Sequence, residues 1–276
     1  MCNNLAFYRL SRYTKNKTGG GNVKYYEQIV DLGCFTLDDA QALTGNRRTA
    51  QSILESYKKK GLIECVRRDL YVTISLETKQ PVPNRYVIAS HAAPGAYVCC
   101  HSAFEYHGLA NQVYYEVYAA TKSRFREFEH GGITYRHLPS PSEDGIEVKK
   151  DGARVTDLER TVVDGINDYE KSGGLEELLR CIGVIAYLDP IKLAGYLRGY
   201  NKTILYQKAG YILEHYKDAL KLPESFFEVC RSKPPQSKRY LYSGLQREPH
   251  ILSKGWALYV PECLSALTRK GAFIDE

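Results

Sequence analysis

Residues 46–60 read NRRTAQSILESYKKK, and residues 61–74 continue GLIECVRRDLYVTI. In the first stretch Ala50, Ile53, Leu54 and Tyr57 recur at i, i+3, i+4 and i+7, a spacing that lays one apolar stripe along an α-helix. The opposite face carries Arg47, Arg48, Gln51, Ser52 and Lys58, with Glu55 as its only acid. Gly61 stops the helix. LIECV and LYVTI are rich in apolar, partly β-branched residues and read as two short strands, with Arg67-Arg68-Asp69 as the polar tip between them. Taken alone, the helix is explained by a solvated amphipathic face. A helix followed by a basic-tipped hairpin asks for more.

Working upstream, Tyr26, Ile29 and Val30 fall at helical spacing within residues 23–32, and Gly33 suits a helix terminator. Thr36 and Asp39 have the spacing of a capping box; Leu37, Ala40 and Leu43 then share one face, and Gly45 closes this second helix. Three helices and a hairpin within about fifty residues is the order of a winged helix-turn-helix. In such a module the third helix reads the major groove and the wing lies along the phosphates. Arg bonds guanine, Gln bonds adenine, and wing arginines add affinity without sequence information. The expected DNA contacts are Asn46, Arg47, Arg48, Thr49, Gln51, Ser52 and Lys58 on the helix, with Arg67 and Arg68 on the wing. The expected partner is double-stranded operator DNA, bound by a monomer or by a dimer.

The 276-residue chain has room for two domains. With 43% hydrophobic and 25% charged residues, its composition is that of a soluble globular protein. No apolar run approaches the roughly 20 residues that cross a bilayer. The basic N-terminus lacks the apolar core and cleavage site of a signal peptide. A cytoplasmic protein without a membrane partner is expected. The net charge of +6 is unevenly placed: residues 1–80 hold 13 basic and 8 acidic side chains, and the rest of the chain is nearly neutral. Such localisation fits a DNA-binding module at one end. The eight cysteines form no Cys-x-x-Cys pair. Even Cys99-Cys100-His101, with His107 beyond, is better read as buried thiols than as a metal site.

Residues 1–21, ending in Gly19-Gly20-Gly21, form a basic arm; residues 22–80 form the winged helix; and Pro81-Val82-Pro83 opens a second domain over 81–276. That domain begins with a helix over 84–92, a strand over 96–99 and a helix over 101–108. A strand over 113–121 and two glycine-turn hairpins follow, around Gly131-Gly132 and Gly152. Farther on, helices are expected over 156–166, 175–186, 190–200 and 203–220, the first capped by Thr156 with Glu159, the third opened by Asp189-Pro190. The last forty residues read as irregular with strand-like pieces. The class is α+β, with the larger domain turning helical toward its end.

Three groups of side chains could carry chemistry. Asp157, Arg160 and Asp164 share a helix face, but Glu159 fits a cap and Arg160 with Asp164 fits an i, i+4 ion pair. Glu147-Val148-Lys149 has the Glu-x-Lys pattern of some metal-dependent nucleases, yet no upstream strand-end Asp accompanies Asp144. His91, His101, His107, His130 and His137 have no evident nucleophile beside them, and no phosphate loop occurs. The 23 tyrosines are scattered in the manner of half-buried packing. Neither a catalytic residue, a metal site nor a cofactor is expected.

The runs CCHSAFEYHGL, VYYEVYAAT, HGGITYRHL, VTDLERTVVDGI and GGLEELL occur in this order. In that order the chain resembles the AbiEi-type antitoxin family of type IV toxin–antitoxin systems over residues 22–220, most specifically in TDLERTVVD after HSAxxxxGL. The resemblance implies a winged helix joined to an antitoxin domain, and a transcriptional autorepressor that counters a nucleotidyltransferase-type toxin. It implies no enzymatic activity. A ligand-responsive repressor and a DNA-targeted nuclease stay open as other classes.

Overall fold

The computed structural model describes residues 25–140, 142–233, 237–264 and 267. The arm expected over 1–21, its three glycines and Cys2 lie outside them. The chain divides into two compact units, one up to Val82 and the other from Pro83.

In the first unit the chain forms α1 (Tyr26–Leu32), β1 (Cys34–Phe35), α2 (Leu37–Thr44), α3 (Arg47–Lys59), β2 (Ile63–Arg67) and β3 (Leu70–Thr73). The strands make an antiparallel sheet in the order β1-β3-β2. Ile29, Phe35, Ala50, Leu54, Tyr57 and Ile63 form its core, so the apolar stripe of α3 faces inward. Thr36 and Asp39 make the expected capping box at the start of α2. The turn into α3 uses Gly45 in the left-handed conformation, at φ 74°.

The second unit opens with α4 (Arg85–Ser90), β4 (Tyr97–Val98), α5 (His101–Tyr106) and β5 (Glu116–Thr121). Two hairpins follow, β6 (Phe128–His130) with β7 (Ile133–Pro139), and β8 (Ile146–Val148) with β9 (Arg154–Thr156). These strands form one six-stranded sheet in the order β6-β7-β5-β4-β9-β8. The hairpins are antiparallel, as expected, but β5 with β7 and β4 with β9 run parallel. Hairpin-like spacing does not reveal such crossovers, because they depend on contacts distant in sequence.

The helical part comprises α6 (Leu158–Asn167), a 3-10 turn (Tyr169–Ser172), α7 (Leu175–Gly183), α8 (Pro190–Tyr200), α9 (Thr203–Glu214), α10 (Lys217–Leu220) and α11 (Glu224–Arg231). Two helix ends are corrected. The helix expected to Leu220 breaks at His215-Tyr216, where 3-10-type bonds close the last turn and the Tyr216 hydroxyl donates to the Leu179 carbonyl (3.1 Å). The helix expected to 186 ends at Gly183. The C-terminal stretch holds a small sheet, β10 (Arg239–Tyr240), β11 (His250–Ser253) and β12 (Leu258–Pro261), ordered β10-β12-β11. It adds Trp256, Leu258 and Val260 to the helical core. Gly210 makes that docking feasible: any side-chain carbon there would collide with the Trp256 ring. The architecture is α+β.

Candidate nucleic-acid interface

The start of α3 is set by Asn46, whose side chain accepts from the Thr49 N–H (3.1 Å) and caps the helix. Asn46 and Thr49 therefore hold the helix N-terminus as well as facing solvent. Arg47, Arg48, Gln51, Ser52 and Lys58 are all exposed. Arg47 reaches back to α2 and donates to Asp38 (2.8 Å) and Gln41 (3.3 Å), an exposed pairing that is cheap to break. Arg48, Gln51 and Ser52 have no side-chain partner among the described residues, and they occupy the first two turns of the helix. Lys59 and Lys60, also exposed, extend the cationic end of α3. They belong to the lysine run that the helical spacing leaves at its boundary.

The β2–β3 hairpin, expected to be a wing, differs from its sequence reading in one respect. Arg68 is exposed at the tip, whereas Arg67 is half-buried. A bulge between Cys65 and Arg67 turns the strand, and the Cys65 thiol donates to the Arg67 carbonyl (3.0 Å). Asp69 sits at φ 63°, a conformation that Asp tolerates better than most residues. Its Oδ1 accepts from the Leu37 N–H (3.1 Å), which ties the hairpin tip to the first turn of α2. Nothing in the alternation of LIECV and LYVTI signalled this tie.

In the second unit the side chains weighed for chemistry make well-defined contacts with their neighbours. Asp157, not Thr156, caps α6, accepting from the Arg160 N–H (2.8 Å). Thr156 ends β9, and its hydroxyl shares a hydrogen bond with that of Thr161 (2.7 Å). Glu159 does not fold back to a cap either: it accepts from the Asp189 N–H (2.9 Å) and so joins α6 to α8. The capping-box reading fails because the strand runs one residue farther than expected. Arg160 and Asp164 do pair (2.6 Å), but fully inside the protein, with the Tyr200 hydroxyl donating to Asp164 (2.6 Å). The Arg160 guanidinium lies over the Tyr196 and Tyr200 rings. Burial pushes the Asp164 carboxyl up, against the pull of Arg160 and Tyr200. Burial would also lower the Arg160 guanidinium, but Asp164 and Tyr200 reverse that and its net direction is up.

Glu147 and Lys149 form a partly exposed ion pair (2.6 Å), and the Asp144 side chain accepts from Ser142 instead. Among the described residues no three His, Cys, Asp or Glu side chains gather as metal ligands. The described cysteines are free thiols. Burial holds Cys34, Cys181 and Cys230 up at about 12. The His101 ring lies between the Lys171 and Glu116 carbonyls, and His107 Nε2 bonds the Thr156 carbonyl (2.8 Å). That last bond ties HSAFEYHGL to TDLERTVVD. The two runs are parts of one sheet–helix joint.

No protein-family model matches the sequence, and comparison with curated proteins returns no match. The chain is similar in fold to a crystal structure of the RV2827C protein from Mycobacterium tuberculosis, with a TM-score of 0.59 at 13% identity. The likeness spans 93% of this chain and 97% of that one. It shows the fold alone. No helix among the described residues is long and apolar enough to cross a membrane.

Proposed function

We propose that this chain is a cytoplasmic DNA-binding regulator of the winged helix-turn-helix type, not an enzyme, and that it represses its own operon as the antitoxin of a type IV system. One observation carries the DNA-binding half: Arg48, Gln51 and Ser52 stand exposed and, among the described residues, without side-chain partners on the first turns of α3, directly after the Gly45-Asn46 turn. Long polar side chains held in water at that position are free to bond base edges. The exposed Arg68 on a pinned wing supplies a phosphate contact. The antitoxin half rests on the resemblance to AbiEi-type proteins. In it the larger unit counters a nucleotidyltransferase-type toxin.

The test is a titration of the full chain against the duplex upstream of its own gene and a scrambled duplex of equal length, at several salt concentrations. Tighter binding to the first, falling linearly in log K against log salt, is expected. Equal or absent binding to both overturns the regulator. Co-expression with a nucleotidyltransferase encoded alongside should restore growth. Growth arrest in its presence removes the antitoxin half and leaves the DNA-binding half standing.

A further inference from the structure

Every residue of α9 from Leu205 to Leu213 is buried except Lys208, which is only half-buried. A lysine in such a helix is costly unless its amine finds a partner, because burial disfavours the cation. Lys208 has no ion pair or hydrogen bond among the described residues. Its nearest carboxylate influence, Asp168, already pairs with Lys171 (2.5 Å). The Lys208 amine instead lies 5.2 Å from the centre of the Tyr169 ring. Burial lowers its pKa accordingly.

That amine opens onto a cavity of about 490 Å³, within the size range of small-molecule sites. Four segments meet there: the end of α6, the 3-10 turn, α9 and the strand β10 with the residues after it. Arg239 lines it too, exposed, with Ser237 Oγ (3.2 Å) as its side-chain partner and no carboxylate partner among the described residues. Among the described residues neither cation has a direct carboxylate partner, and both line one cavity together with Asp168 and Glu170. Three tyrosines stand among the remaining walls, beside Asn167, Ile204, Ser243 and the two carboxylates. Tyr169, Tyr240 and Tyr242 all line it. Tyr240 is held by stacking on Tyr259 (4.8 Å), and Tyr242 by donation to Glu248 (2.9 Å).

We propose that this cavity binds a nucleoside monophosphate, with its phosphate on Lys208 and Arg239 and its base against the tyrosine rings. The cations supply charge-assisted bonds to a phosphate, and Arg239 presents a flat fork that matches it. Aromatic walls suit a flat ring. Glu170 and Asp168 also line the cavity. Their negative charge opposes each further phosphate, so the proposed ligand carries only one.

Calorimetric titration of the full chain with the four common ribonucleoside monophosphates, and with inorganic phosphate, tests this. At least one nucleotide is expected to bind at a single site and more tightly than phosphate. Lys208→Met and Arg239→Gln should each weaken it about tenfold or more, the loss of one charge-assisted bond. Tyr240→Ala should weaken the nucleotide and leave phosphate unchanged. Lys208→Met removes a cation that burial opposes, and Arg239 is exposed, so both variants should keep the wild-type melting temperature or exceed it. Three results overturn the proposal: no nucleotide binding at millimolar concentration, affinity unchanged in both cation variants, or equal affinity for phosphate and nucleotide irrespective of Tyr240. The last would leave an anion site without base recognition.

Discussion

The Asp157 carboxylate serves three donors at once: the Arg160 N–H, the Tyr196 hydroxyl (2.6 Å) and the Lys192 amine (3.1 Å). It is buried, so truncation removes a helix cap and also strands a phenol. Asp157→Ala should cost about 2–4 kcal/mol, a cap and one unsatisfied polar group together. Thr156→Ala loses only the Thr161 hydroxyl bond and should cost about 0.5–1.5 kcal/mol. Glu159→Gln keeps an acceptor for the Asp189 N–H and should be milder still. Thermal melts check this order. A different order would be diagnostic: a variant that melts like wild type yet abolishes toxin protection would place chemistry, not packing, at that residue. The sequence located this helix and its Arg160–Asp164 pair. It could not say that the pair is buried, because i, i+4 spacing is the same on a wet face as on a dry one.

At the level of elements, α3 and the wing should contribute to binding in different ways. Arg48→Ala removes an exposed side chain that the proposed function assigns to base contact, so it should cost about 1–3 kcal/mol against operator DNA and relax preference over scrambled DNA. Arg68→Ala should weaken both duplexes alike and lower the salt slope by about one contact. Binding isotherms at several salt concentrations separate the two patterns, and a loss of preference in Arg68→Ala would invert the roles assigned to helix and wing. The elements themselves were largely legible. Glycines at 33, 45 and 61 ended the helices where expected, and Thr36 with Asp39 announced α2. What local patterns missed was set by long-range contact. The pin from Asp69 to α2, the parallel strand pairs and the packing of Trp256 against Gly210 each join residues too far apart for periodicity to register. The shortfall at Arg67 is of the same kind: a bulge turned one of two adjacent arginines inward.

For the whole molecule, two compact units imply two separable stabilities. The smaller unit encloses Ile29, Phe35, Leu54 and Tyr57, while the larger has its own cluster running from Phe104 to Trp256 and beyond. Only the larger contains His101 and His107, whose imidazoles burial holds below the ordinary value of 6.5. As pH falls through 6.5 the unfolded chain takes up protons that the folded rings still refuse, so stability is full above that value and declines below it. Melts between pH 8 and about pH 5 should show this decline in a fragment of residues 83–276. His107→Gln, which retains a donor for the Thr156 carbonyl, should flatten it. The same division predicts where the activities lie. A fragment of residues 1–82 carries α3 and the wing and should bind operator DNA with the salt dependence of the full chain, though more weakly if binding requires a second copy. The fragment of residues 83–276 should bind no DNA specifically and should protect cells against the toxin. Expressing each fragment with the toxin decides the matter: if residues 1–82 alone rescue growth, protection comes from the DNA-binding unit, and the assignment of the antitoxin activity to the larger unit fails.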